Sequence, residues 1–116
     1  MTRTGKDLLQ EATSLYKEGD YVAARQAYQA AVAIEPEQAS WHAALGACYL
    51  RLNAAEDAAS AYTEAIALNP HEGKFHAGLA QSALRSGDLE TARSAFADAI
   101  RLKPDVAPGM QVSVHA

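Results

Sequence analysis

Apolar residues recur along this chain at spacings of three and four, in six successive runs. Leu8, Leu9, Ala12, Leu15 and Tyr16 form one run, and Trp41, Ala44, Leu45, Cys48, Tyr49 and Leu52 repeat it. Phe75, Leu79, Ala83 and Leu84 repeat it again. Such spacing gathers apolar groups on one face of an α-helix. The other three runs are YVAARQAYQAAVAIEP, AEDAASAYTEAIALNP and LETARSAFADAIRLKP, which close on Pro36, Pro70 and Pro104. These prolines stand 34 residues apart, and so do Ala24/Ala58/Ala92, Tyr28/Tyr62/Phe96, Ala31/Ala65/Ala99, Val32/Ile66/Ile100 and Ile34/Leu68/Leu102. A fixed period of this length marks a repeat array, in which each unit stacks on the next.

The punctuation between runs predicts two helices per unit. Gly19, Asn53 and Gly87 share a column, and glycine or asparagine suits the left-handed backbone that ends a helix. Each proline biases the residue before it away from helix and so separates one unit from the next. Six helices are expected, over 5–18, 21–35, 39–52, 55–69, 73–86 and 89–103. Small residues at Ala24, Ala58 and Ala92 let the two helices of a hairpin cross closely. Four residues on, Tyr28, Tyr62 and Phe96 form a wide apolar wedge on the same face. One hairpin alone leaves that face uncovered, so stacking is obligatory.

Composition narrows the class further. The chain has 116 residues, enough for one domain with a continuous core. Apolar residues make up 49%, but much of that is alanine and only 7% is aromatic, so the core is made by closely approaching helices. A formal net charge of −4 lacks the basic footprint of nucleic-acid binding. No apolar run reaches the roughly 18 to 20 residues of a membrane span, and MTRTGKDLLQEA has no hydrophobic stretch suited to secretion. The single cysteine, Cys48, forms no internal disulfide, which together with these points predicts a cytoplasmic protein.

The block Trp41, Leu45, Gly46 and Tyr49, followed by Ala58, Tyr62, Ala65 and Pro70, resembles a tetratricopeptide repeat (TPR). The resemblance covers residues 5–106 as three repeats, about 5–38, 39–72 and 73–106, with 107–116 as an extended or disordered tail. It implies an all-α, right-handed solenoid of three antiparallel hairpins. Trp41 stands one residue before the family's usual aromatic, where His42 falls. Glu11 and Ala12 replace Leu45 and Gly46 in the first repeat, and Ala83 replaces Tyr49 in the third. These departures predict looser packing in the outer repeats.

In the family the first helix of each hairpin lines a concave, peptide-binding groove. Carried onto this chain, the first repeat contributes Lys6, Leu9, Gln10, Thr13, Tyr16 and Lys17. The second contributes Ser40, Ala43, Ala44, Ala47, Leu50 and Arg51, and the third Lys74, Ala77, Gly78, Gln81, Leu84 and Arg85. The segments 39–52 and 73–86 contain no Asp or Glu, yet hold Arg51, Lys74 and Arg85. An acidic protein thus keeps this face neutral to basic, which predicts a partner peptide with an apolar stripe and acidic flanks. Helix-end solvation is the competing account of Arg51 and Arg85, since a helix C-terminus favours cations. Some relatives clamp the C-terminal carboxylate of heat-shock chaperones with Lys, Asn and Arg. The corresponding Leu9, Thr13, Ala44, Lys74 and Gly78 match only at Lys74, so that partner class is not expected.

Candidate chemistry is sparse. His42 and His76 lie in equivalent columns, a whole hairpin apart, and neither they nor His71 and His115 are expected to converge on a metal. Cys48 sits on an apolar face with no cation beside it in the sequence, as a small buried hydrophobe does. Gly5-Lys6 lacks the rest of a phosphate loop, and no nucleophile, base and orienting group fall at recognisable spacing. No enzyme activity, cofactor or metal is predicted. Helix 89–103 carries Phe96 and Ile100 without a following repeat to cover them. Pro108-Gly109 then breaks a helix, and Met110, Val112 and Val114 alternate as in an extended segment. A second copy, a partner or the tail itself could cover this end, and homo-oligomerisation is the first expectation. The expected function is an adaptor or peptide-binding chaperone. The alternatives are a self-assembling unit or a chaperone of the bacterial type III secretion kind.

Overall fold

The computed structural model describes residues 3–103, which form six α-helices and no strand. They are α1 (Gly5–Glu18), α2 (Tyr21–Ile34), α3 (Ala39–Arg51), α4 (Ala55–Leu68), α5 (Gly73–Ser86) and α6 (Leu89–Arg101). Four helices stop a residue or two short of the sequence expectation. Before Pro36 and Pro70, Glu35 and Asn69 leave the helical region (φ −128° and −146°), which a following proline disfavours. Leu52 and Leu102 cap α3 and α6 with φ −94°. The tail over 107–116, with Met110, Val112 and Val114, lies outside the described residues.

The turns inside the hairpins take the left-handed backbone that their residues favour. Gly19, Asn53 and Gly87 have φ values of 87°, 61° and 90°, and Asn53 is the sole non-glycine in that region among the described residues. The helix starts are less uniform. Thr4 and Asp7 form a capping box on α1, while Asp20 and Asp88 accept from the backbone N–H groups of Ala23 and Thr91. Gln38 and Ala54, which precede α3 and α4, make no side-chain cap. The middle hairpin is therefore the one in which neither helix has a side-chain cap at its start.

Stacking builds the core. Ala12, Ala24, Ala27, Tyr28, Leu45, Cys48 and Ala61 form one buried cluster across the first two hairpins, and Leu50, Ala58 and Tyr62 begin a second. The first repeat is therefore closely packed: the Ala12 that replaces Gly46 is fully buried against α2 and α3. Tyr62 shows why small residues are needed. A Cβ at Gly46 would stand 2.8 Å from its ring, and one at Gly78 only 2.2 Å, so the ring is seated between two glycines of adjacent repeats. Burial pushes the Tyr28 and Tyr62 phenols above their ordinary value. Consecutive helices pack on one another throughout. In addition α3 reaches across to α5, a contact that no pair of second helices matches among the described residues. The first helices of the second and third repeats therefore lie on the inner, shorter side of the stack.

Candidate protein-interaction surfaces

The inner face is built from α3 and α5, and the sequence expectation adds α1. On α1, Lys6 and Lys17 are exposed, and Leu9, Thr13 and Tyr16 are half-buried. On α3, Ala43 and Ala47 are half-buried and Arg51 is exposed, whereas Leu50 is only 8% exposed and belongs to the core. On α5, Lys74, Gln81 and Arg85 are exposed, Ala77 is half-buried, and Leu84 is 52% exposed. The apolar part of this face is thus a floor of alanines with Leu84 standing out from it.

Two cations on this face are pinned by the preceding repeat. Arg51 donates from Nε to the Tyr16 hydroxyl (3.1 Å), and its guanidinium lies 5.9 and 5.8 Å from the Tyr16 and Tyr21 ring centres. Those two rings meet edge to face at 5.1 Å. One repeat on, Arg85 donates from Nη1 to the Leu50 carbonyl (3.0 Å). Both reach back 35 residues to the column Tyr16/Leu50. They are thus neither loose solvated ends nor bare groove charges: each stitches two repeats with one N–H and retains others in its fork. Thr13 is also engaged. Its hydroxyl donates to the Leu9 carbonyl (2.9 Å), so the Tyr28 hydroxyl at 3.3 Å donates to it.

The histidines have a shared role that the columns alone did not disclose. His42 donates from Nε2 to the Pro36 carbonyl (2.8 Å), and His76 does the same to Pro70 (2.9 Å). Each ties the start of its hairpin to the preceding proline junction. The recurrence of histidine six residues after each of these prolines was the available signal. His76 Nδ1 also stands 3.9 Å from an Asp98 carboxylate oxygen. No cluster of three metal-ligating side chains occurs among the described residues. Burial pushes the Cys48 thiol up, against a smaller opposing pull from the Arg25 charge, and its S–H donates to the Tyr21 carbonyl (3.2 Å). The cation that sequence spacing did not place beside Cys48 comes from α2. Even so, the net effect keeps the thiol protonated.

A second surface lies at the outer side of the third hairpin. Glu72, Gly73, Lys74, Ala77, Phe96, Ala99, Ile100 and Lys103 line a groove of about 510 Å³. Phe96 and Ile100, which the sequence marked as an end surface, thus meet Lys74 and Ala77, which it assigned to the inner face. Phe96 is 39% exposed and Ile100 71%. No described helix is long and apolar enough to cross a membrane.

Stacked helical hairpins with an inner helix face define the class of helical-repeat scaffolds. The profile of the Tetratricopeptide repeat family matches residues 9–72 and 55–107, and the chain belongs to that family. No curated protein sequence matches it. Among solved structures, the first TPR domain of Spaghetti (RPAP3), bound to the HSP90 peptide SRMEEVD, superposes with a TM-score of 0.84. It is 22% identical, over 88% of this chain and 81% of that one. The Yersinia enterocolitica type III secretion chaperone SycD, in complex with a peptide of the translocator YopD, has a TM-score of 0.82. Its identity is 23%, over 95% of this chain and 84% of its own. The Sgt2 TPR domain from Aspergillus fumigatus, at 20% identity, has a TM-score of 0.82 over 96% and 74% of the two chains. At these identities the likeness concerns the fold.

Proposed function

We propose that this chain is a non-enzymatic protein-interaction module, an adaptor or peptide-holding chaperone, that binds a segment of another protein along its inner face. The observation that carries the reading is the charge of α3 and α5. Neither helix contains a carboxylate, in a chain whose net charge is −4. Instead they present alanines, Leu84 and the positioned Arg51 and Arg85. Apolar floor and cationic rim together fit a peptide with an apolar stripe and acidic flanks. Similar folds that hold peptides, RPAP3 and SycD, support the class of function. The carboxylate-clamp variety is disfavoured here. Of Leu9, Thr13, Ala44, Lys74 and Gly78, only Lys74 is cationic, Thr13 is bonded to Tyr28, and Gly78 lies beneath Tyr62.

Fluorescence anisotropy with two labelled amphipathic peptides tests this. Both carry one leucine stripe, one with glutamate flanks and the other with lysine flanks. The glutamate version should bind at least tenfold more tightly, in a salt-dependent way, and SRMEEVD should bind no better than its scramble. Ala47→Glu and Leu84→Asp should each abolish binding; Leu50, although expected in the groove, is part of the core and is left unchanged. Binding that survives both changes and is lost on Ile100→Asp would transfer the function to the outer groove.

A further inference from the structure

The open end of the third hairpin repeats, column for column, the seat that α3 fills at the first joint. Gly5 and Glu35 border that seat: a Cβ on Gly5 would stand 2.7 Å from Glu35 Oε2 and 3.0 Å from the Trp41 ring. Gly73 and Lys103 stand in the same two columns and line the groove beside Phe96 and Ile100. Cover is missing along the whole face. Tyr28, Tyr62 and Phe96 share a column and are 4%, 7% and 39% exposed. Ile100 is 71% exposed where Val32 and Ile66 are half-buried, and Leu84 is 52% exposed where Leu50 is core. This end face meets the inner face at Lys74 and Ala77.

The two helices that fill such seats share a pattern. Each carries an aromatic residue, a small residue three positions later and an arginine seven beyond that. In α3 these are Trp41, Ala44 and Arg51, and in α5 they are Phe75, Gly78 and Arg85. The spacings place all three on one stripe of a helix. Trp41 lies on Gly5, Ala44 packs on the cluster that holds Tyr28, and Gly78 lies on the Tyr62 ring. Arg51 and Arg85 bond to the column of Tyr16 and Leu50.

A second copy offers no such helix. The stripes of its α3 and α5 are already packed on its own preceding hairpins. Its α1 carries Asp7 in the column of the aromatic and Gln10 in that of the small residue. Asp7 is also held in the capping box with Thr4. Charge narrows the occupant further. Gln38, just ahead of α3, donates to Glu35 (3.1 Å), so a helix in this register starts beside that column. At the open end the column holds Lys103, with Lys74 near it in the groove. Acidic residues at the start of the incoming helix suit both these cations and its own dipole.

We propose that the open end of the third hairpin binds an amphipathic helix of another protein in the register of a fourth repeat. The helix it recognises has acidic residues at its start, then an aromatic, a small residue three positions on and an arginine seven further. The aromatic enters the groove against Gly73, and the small residue allows close approach to Phe96. The arginine reaches the Leu84 carbonyl as Arg85 reaches that of Leu50. Each of these carbonyls also accepts one N–H from its own turn, from Gly87 and Asn53. This mode goes beyond the inner-face reading and does not rest on it.

The probe is a synthetic peptide of residues 35–51 with Cys48→Ser, which keeps Glu35, Glu37, Trp41, Ala44 and Arg51. Titrated into the isotope-labelled full chain, it should shift the Phe96, Ile100 and Leu84 resonances to saturation and gain helical circular dichroism. Trp41→Ala or Ala44→Leu in the peptide should each weaken binding about tenfold. In the chain, Ile100→Asp should abolish it with the circular dichroism of the fold unchanged, whereas Ala47→Glu should leave it intact. The glutamate-flanked peptide of the inner face should respond to these two changes in the opposite way, so either reading can fail without the other. No shift at Phe96 or Ile100 up to about 1 mM peptide would overturn the proposal. So would equal binding by the Ala44→Leu peptide. A dimer mass by light scattering that Ile100→Asp reduces to a monomer would assign the face to a second copy, with the same result.

Discussion

Tyr62 and Phe96 occupy one column of the repeat and are offered the same kind of partner on their own hairpin, yet their fates differ. Tyr62 is 7% exposed, seated between Gly46 of its own repeat and Gly78 of the next. Phe96 is 39% exposed and looks into a groove. The same comparison holds one turn further on, where Ile66 is half-buried and Ile100 is exposed. A residue in a repeat array thus acquires its role from its neighbours as much as from its type. The column prescribes an apolar wedge, and the stack decides whether that wedge is core or surface.

The sharpest way to break this comparison is to remove each wedge. Tyr62→Ala should destabilise the fold by about 3–5 kcal/mol, the cost of emptying a buried aromatic site. Phe96→Ala should cost less than half of that, because much of its ring is already in solvent. Urea unfolding followed by circular dichroism reads both. Equal losses would mean that Phe96 is as enclosed as Tyr62.

A smaller effect concerns the helix starts. Asp20, Ala54 and Asp88 share a column, and only the two aspartates cap their helices. Ala54→Asp should therefore stabilise the middle hairpin by about 0.5–2 kcal/mol, seen as a higher unfolding midpoint. No gain would mean that Ala54 cannot present a side chain to the α4 amides as its column-mates do.

The smallest effect is acid sensitivity, and it should fall on the two ends of the stack. Hydrogen bonds from the backbone and side chain of Thr4 hold the Asp7 carboxyl below its ordinary value of 3.8, and those from Thr91 do the same for Asp88. A carboxyl whose pKa is depressed by folding contributes stability above its unfolded value, and that contribution fades as pH falls through 3.8 and below. Amide exchange should therefore quicken in α1 and α6 before α3 and α4, neither of which has a side-chain cap at its start. Uniform loosening of all six helices over that range would remove the distinction.

Much of the molecule was legible beforehand because its signals are local. Gly19, Asn53 and Gly87 end helices through their own backbone preferences, and Pro36 and Pro70 do so through the residue before them. Other features were hidden because they join positions that no single column contains. Gly46 and Gly78 are 32 residues apart, not 34, so the repeat register does not pair them, although one tyrosine needs both. Arg51 and Arg85 bond partners 35 residues back, which a reading of helix ends takes for solvated charge. Lys74 and Ala77 were assigned to the inner face, and their position beside Phe96 and Ile100 emerges only when α5 is laid against α6.

By itself, the sequence determined the six helices, their pairing and the period of the stack, since these follow from backbone preference and apolar spacing within one hairpin. It also determined that α3 and α5 carry no carboxylate. The tertiary structure decided which cations are held in place, which leucine is core and which is surface, and that the third hairpin presents a groove. Those outcomes depend on how far one hairpin is displaced against the next. That displacement is set by side-chain volume at the joints, where a ring between two glycines brings neighbouring repeats into contact.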